Sequence, residues 1–98
     1  MKPIYIDIDQ TICRTDGNDY QHSEPIPENI AKINKLYDSG EVIIYWTVRG
    51  RTSGINWYDL TKKQLLSWGC KFHRLDMNSK PDAKAFIDDI CIKIEDLK

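Results

Sequence analysis

The chain has 98 residues, 41% of them hydrophobic and 30% charged, with a formal net charge of −1. That length suits one core and one domain, read as residues 1–98. The balanced charge argues against nucleic acid or anionic membrane as partners, since either attracts a surplus of Lys and Arg.

The longest apolar run, Val42 to Trp46, falls far short of the ~20 residues that a membrane span requires. The start, Met-Lys-Pro followed by Ile4-Tyr5-Ile6-Asp7, lacks the uncharged core and small-residue cleavage site of a secretion signal. Cys13, Cys70 and Cys91 form no closely spaced zinc-type pair. They read as three reduced thiols, and the expected location is cytoplasmic.

In chain order, Ile4 to Ile8 is short, apolar and rich in Ile, the pattern of a buried strand. Thr11 to Pro27 reads as a polar loop with a small hairpin at Asp16-Gly17. A helix is predicted over 28–39, with Ile30, Ile33, Leu36 and Tyr37 on one face and Gly40 as its stop. Glu41 to Trp46 reads as a second buried strand, and Thr47 to Tyr58 as a loop without period. A second helix is predicted over 59–68, with Leu65, Leu66 and Trp68 as core candidates and Gly69 as its stop. Lys71 to Leu75 fits a third strand, Asp76 to Lys84 a loop, and Ala85 to Ile87 a fourth strand. The alternation of Ile90, Ile92 and Ile94 fits a fifth short strand or an extended tail.

Strands joined by helical crossovers imply a mainly parallel sheet of four to five short strands with helices on both faces, a Rossmann-like three-layer α/β fold. Ligands of such sheets bind at the carboxyl ends of the strands. Asp7, Asp9 and Thr11 follow the first strand, and Thr47 and Arg49 the second. Lys80 lies in the loop after the third, and Asp88 and Asp89 follow the fourth.

Four carboxylates at one edge repel: two charges about 4 Å apart cost roughly 4 kcal/mol at an effective dielectric of about 20. Either some of them bind protons or a cation sits among them. Oxygen ligands without His or Cys select a hard ion, and Mg²⁺ is the usual one beside phosphate. Lys80 and the Thr47 hydroxyl would complete a phosphate pocket.

These motifs, in this order, resemble those of the haloacid dehalogenase superfamily. Ile4-Tyr5-Ile6-Asp7-Ile8-Asp9-Gln10-Thr11 is similar to its first motif, a strand followed by Asp-x-Asp-x-Thr. Val42 to Thr47 is similar to the second, Lys80 to the third, and Ala85-Phe86-Ile87-Asp88-Asp89 to the fourth. With Thr47-Val48-Arg49-Gly50-Arg51, the chain resembles the small, capless phosphatases of that superfamily from bacteria and their viruses, some associated with surface-polysaccharide synthesis. Two positions depart from the pattern: Gln10 stands where many members have Gly, and Lys84 where close relatives often carry Asp.

The resemblance implies a Mg²⁺-dependent phosphomonoester hydrolase acting on a sugar phosphate, nucleotide or other small phosphorylated metabolite. Asp7 would be the nucleophile that forms an aspartyl-phosphate. Asp9 would be the general acid and base, with Thr11 helping to hold it. Asp7, the Asp9 carbonyl and Asp88 or Asp89 would bind Mg²⁺, Asp89 being favoured as the direct ligand. Thr47 and Lys80 would contact the transferring phosphoryl group, and Thr11, Arg49 and Arg51 the substrate. With no room for a cap domain, the site is expected to be open, suiting a bulky substrate or a homo-oligomer that shields it.

Plainer alternatives stand beside each residue. Asp7 and Asp9 also fit a turn, Lys80 a solvated lysine, and Asp88-Asp89 a helix cap. Arg49 and Arg51 fit loop charges, while Trp57 fits an anchor of its loop and Trp46 and Trp68 the core. The competing function is a non-catalytic phosphate- or metal-binding module, of haloacid-dehalogenase or receiver type. In receivers, however, the acidic pair comes first along the chain, and here it comes last. A metal nuclease would need a basic track that the composition does not supply.

Overall fold

The computed structural model describes residues 3–51 and 53–77, together with the backbone of 85–87. Six strands and two helices follow in the order β1 (Ile4–Asp7), β2 (Cys13–Arg14), β3 (Glu24–Pro25), α1 (Pro27–Asp38), β4 (Ile43–Thr47), α2 (Tyr58–Ser67), β5 (Arg74–Met77) and β6 (Ala85–Ile87). β5, β4, β1 and β6, in that spatial order, form a four-stranded sheet whose pairings are all parallel. β2 and β3 pair antiparallel in a separate two-stranded ribbon.

Side-chain alternation explains why β1 and β4 are apolar on both sides. Ile4, Ile6 and Ile8 point to one face with Ile43, Tyr45 and Leu75, and this face meets Ile30, Ile33 and Leu65 of the helices in one core. Tyr5 and Ile44, on the opposite face, are also buried. Each of these isoleucines contributes about 1.5–3 kcal/mol by leaving water.

Both described helices therefore pack on the same face, where the sequence pattern predicts helices on both. Handedness gives the reason. The crossovers β1–α1–β4 and β4–α2–β5 step across the sheet in the same direction, and right-handed crossovers that step the same way lie on the same side. β6 lies on the other flank of β1, so the chain reverses direction about β1. In an open parallel sheet, that reversal opens a crevice at the strand's carboxyl end.

The helix ends follow their sequence signals. Pro27 opens α1 at its first turn, where a missing N–H is harmless. Gly40 and Gly69, at φ 102° and 76°, take the left-handed position after each helix. The Gly40 and Glu41 amides then donate to Tyr37 O and Leu36 O, and the Gly69 and Cys70 amides to Leu66 O and Leu65 O.

Two boundaries differ from the pattern. β5 begins three residues later than expected, because residues 69–73 are tied to other partners. Asn34 of α1 donates to Gly69 O at 2.9 Å and accepts from the Lys71 amide at 2.8 Å. The His73 amide donates to Ile43 O, and the His73 ring Nδ1 accepts from the Ile43 amide. As a result Asp76 belongs to the strand, opposite Trp46. Leu66, expected in the core, is 61% exposed, since the inner face of α2 is formed by Thr61, Gln64 and Leu65. No helix among the described residues is long and apolar enough to cross a membrane.

Candidate functional site

Asp7 ends β1, and its Oδ1 accepts the Ile8 amide at 2.9 Å. The chain then turns sharply. Gln10 takes φ 66°, a left-handed conformation that side chains with a Cβ rarely adopt. Its own amide compensates: Nε2 donates to Thr15 O at 2.6 Å, while the Gln10 backbone N–H donates to Cys13 O at 2.7 Å. Gln10, noted as a departure from the resembled motif, does have glycine-like geometry, and a side-chain bridge across the loop holds it. The start of α1 is sewn to the same loop, with the Ile26 amide on Ile12 O and Asn29 Nδ2 on Thr11 O.

Asp9 sits inside that turn and meets the most densely bonded side chain among the described residues. Arg49 grips it with both arms, Nε to Oδ2 at 3.0 Å and Nη2 to Oδ1 at 2.7 Å. This bidentate fork is the strong form of a guanidinium–carboxylate pair. The Arg49 side chain has no solvent exposure, whereas that of Asp9 is 23% exposed, so the acid alone reaches the surface. Arg49 Nη1 donates to Thr61 Oγ1 at 3.1 Å and Gln64 Oε1 at 2.7 Å, and Nη2 also reaches Ser23 Oγ at 3.3 Å. The Tyr20 ring covers the guanidinium carbon at 4.7 Å.

Arg49, expected to grip substrate, thus has its donors turned inward onto the protein. The physical reason is desolvation: a cation taken wholly out of water must be paired and hydrogen-bonded throughout. The hydroxyl on Asp9 likewise belongs to Thr15, which donates to Oδ1 at 2.7 Å, and not to Thr11. Thr11 is buried and is engaged through its backbone.

Thr47 closes β4, one residue beyond the Asp7–Trp46 register pair, and is buried. Its Oγ1 accepts the Arg49 amide at 3.2 Å, an arrangement that leaves the hydroxyl proton available to donate. Arg51 is exposed on the following loop. It lines a cleft of about 580 Å³ with Asn18, Tyr20, Val48, Gly50, Ser53, Ile55 and Trp57. The expectations for Lys80, Asp88 and Asp89 fall outside the described residues, as do those for Lys84 and Cys91.

The donors described near Asp7 and Asp9 are oxygens and one thiol. Cys13 lies 3.7 Å from Asp9 Oδ1, but burial and then the Asp9 charge push its thiol up to about 11. At neutral pH it remains a thiol and does not compete as a thiolate ligand. No group of three His, Cys, Asp or Glu that could hold a metal ion converges among the described residues.

Thr15, Ser23, Thr61 and Gln64 were not singled out in the sequence. Thr61, Gln64 and Leu65 do fall at helical i, i+3, i+4 spacing, a signal concealed by their polarity.

No family model matches the chain, and no curated protein does so either. Among solved structures, the chain is similar to the crystal structure of an MCSG target from Vibrio cholerae. The TM-score is 0.76 at 20% identity, over 97% of this chain and 85% of that one. The likeness is one of fold. The parallel sheet and its helices are consistent with a Rossmann-like α/β fold.

Proposed function

We propose that this protein is a phosphomonoester hydrolase of the haloacid dehalogenase type, working through an aspartyl-phosphate. One observation carries the reading. Two acids two residues apart leave the carboxyl end of the strand about which the sheet reverses, and the second is held by a buried arginine. The ordered resemblance of Lys80 and Asp88-Asp89 to the superfamily's later motifs supports it from the sequence.

In this reading an Asp7 oxygen attacks phosphorus, and the bond from phosphorus to the ester oxygen breaks. Asp9 gives its proton to the departing oxygen. Asp9 then takes a proton from water, whose oxygen attacks phosphorus and breaks its bond to Asp7, releasing phosphate. Thr47 donates its hydroxyl proton to a phosphoryl oxygen, and Lys80 offsets phosphoryl charge. Asp7, the Asp9 carbonyl and Asp88 or Asp89 would hold Mg²⁺, which neutralises phosphoryl charge when bound. Asp9 keeps an edge in solvent, as a group that exchanges protons with substrate and water must. Between Asp9 and α1 stands only the β2–β3 ribbon with its connecting loop, which suits an uncapped site.

Release of phosphate from p-nitrophenyl phosphate tests the proposal. Turnover is expected with Mg²⁺, to be lost on chelation and in Asp7→Asn. An Asp7→Asn protein that still turns over removes the nucleophile, and with it the mechanism.

A further inference from the structure

We propose that α2 orients the acid: Gln64 and Thr61 are positioning residues for Asp9, acting through Arg49. The inference rests on the phosphatase reading above and adds residues that lie outside the superfamily-like motifs.

The argument begins with an anomaly of composition. α2 presents Thr61 and Gln64 to the interior, both buried, where a helix covering a sheet ordinarily presents aliphatic side chains. Two buried polar side chains at adjacent turns of a helix need a partner, and both turn acceptor oxygens onto Arg49 Nη1. Gln64 Nε2 in turn donates to Tyr20 O at 2.6 Å. The same Tyr20 lays its ring over the guanidinium, and Ser23 bonds both Thr15 and Arg49.

The guanidinium is planar, so its orientation is fixed once Nη1 is fixed at one end. The other end, Nε and Nη2, then sets the plane and direction of the Asp9 carboxylate. Arg49 is thus a rigid connector between α2 and the acid, and Lys could not replace it, having one nitrogen and no fork. A purely structural role for this polar set would not require its far end to close on the exposed acid of the site.

The leaving group provides the test. An alkyl phosphate loses a poor leaving group that needs the Asp9 proton, whereas p-nitrophenolate departs without one. Both first-turnover rates of leaving-group release, which precede the base step at Asp9, would be measured for wild type, Gln64→Leu, the isosteric Thr61→Val, and Thr61→Ser, which retains the hydroxyl. A positioned acid contributes about 10²–10⁴-fold, so Gln64→Leu is expected to lose about tenfold or more on the alkyl ester. Its rate on p-nitrophenyl phosphate should stay within about threefold of wild type. Thr61→Val should shift the ratio in the same direction and Thr61→Ser restore it, which keeps the test valid if Gln64→Leu fails to fold. Equal losses on both esters, or an unchanged ratio in both variants, would overturn the inference and leave the phosphatase reading standing. A wild type that hydrolyses neither ester would remove both.

Discussion

α1 and α2 cover the same face of the same sheet, yet they are built on different chemistry. α1 buries Ile30 and Ile33, with Leu36 and Tyr37 packed beside them. α2 buries Thr61 and Gln64 beside Leu65. The first helix is held by the removal of apolar surface from water, a force without direction. The second is held in part by hydrogen bonds to a buried cation, which are directional. A helix that only fills space can be apolar, whereas one that must orient a charge has to present oxygen atoms inward. In the proposed reading, the difference makes α1 scaffold and α2 part of the site.

Removing the charge itself should have the largest effect. Arg49→Met leaves Asp9, Thr61 and Gln64 facing an uncompensated gap, and breaking a buried pair from one side costs about 3–5 kcal/mol. Chemical denaturation should show that loss, with hydrolysis of alkyl phosphates falling further than stability alone explains. A fully stable Arg49→Met would mean that the two helices do not differ in the way described.

Ile33→Ala sharpens the contrast from the other side. It should cost roughly 2–5 kcal/mol in the same assay, the range for truncating a buried aliphatic side chain. The ratio of rates on alkyl and p-nitrophenyl esters should remain that of wild type below the melting transition. A changed ratio would place α1 in the site as well.

The third effect is small near neutrality and grows with alkali. Cys13, in the acid-bearing loop, and Cys70, just after α2, are both raised from an ordinary 9.0 to about 11, first by burial. A raised folded value means that the unfolded chain gives up these protons first. The thiols' contribution is therefore complete below about 9 and declines as pH rises toward about 11. Denaturation midpoints measured across that window should fall, less steeply in Cys13→Ala than in wild type. Equal slopes would remove Cys13 from the account.

The contrast also explains what could be read in advance. Apolar periodicity located β1, β4, α1 and β6, because burial writes itself into sequence as Ile and Val at fixed spacing. It missed the start of β5, where Asn34 of α1 and the bond from the Ile43 amide to the His73 ring decide the boundary. It placed Leu66 inside, since an apolar residue was taken for the inner face that Gln64 and Leu65 occupy. Asp7, Asp9 and Thr47 were legible as polar residues at or just past strand ends, and Asp7 and Thr47 do close β1 and β4. The partners of Asp9 were not. Arg49 lies 40 positions away, and its engagement with Thr61, Gln64 and Ser23 follows from packing that no local pattern encodes.

The reach of Arg49 bears on how the protein is born. Its clamp joins Asp9 and Ser23, made early in synthesis, to Thr61 and Gln64, made late. Loops closing over such separations form slowly and only when both ends exist. A nascent chain that has exposed Asp9 but not yet Gln64 carries that acid without the seat for its arginine. In the proposed reading, the acid would have its orientation only once that long loop has closed.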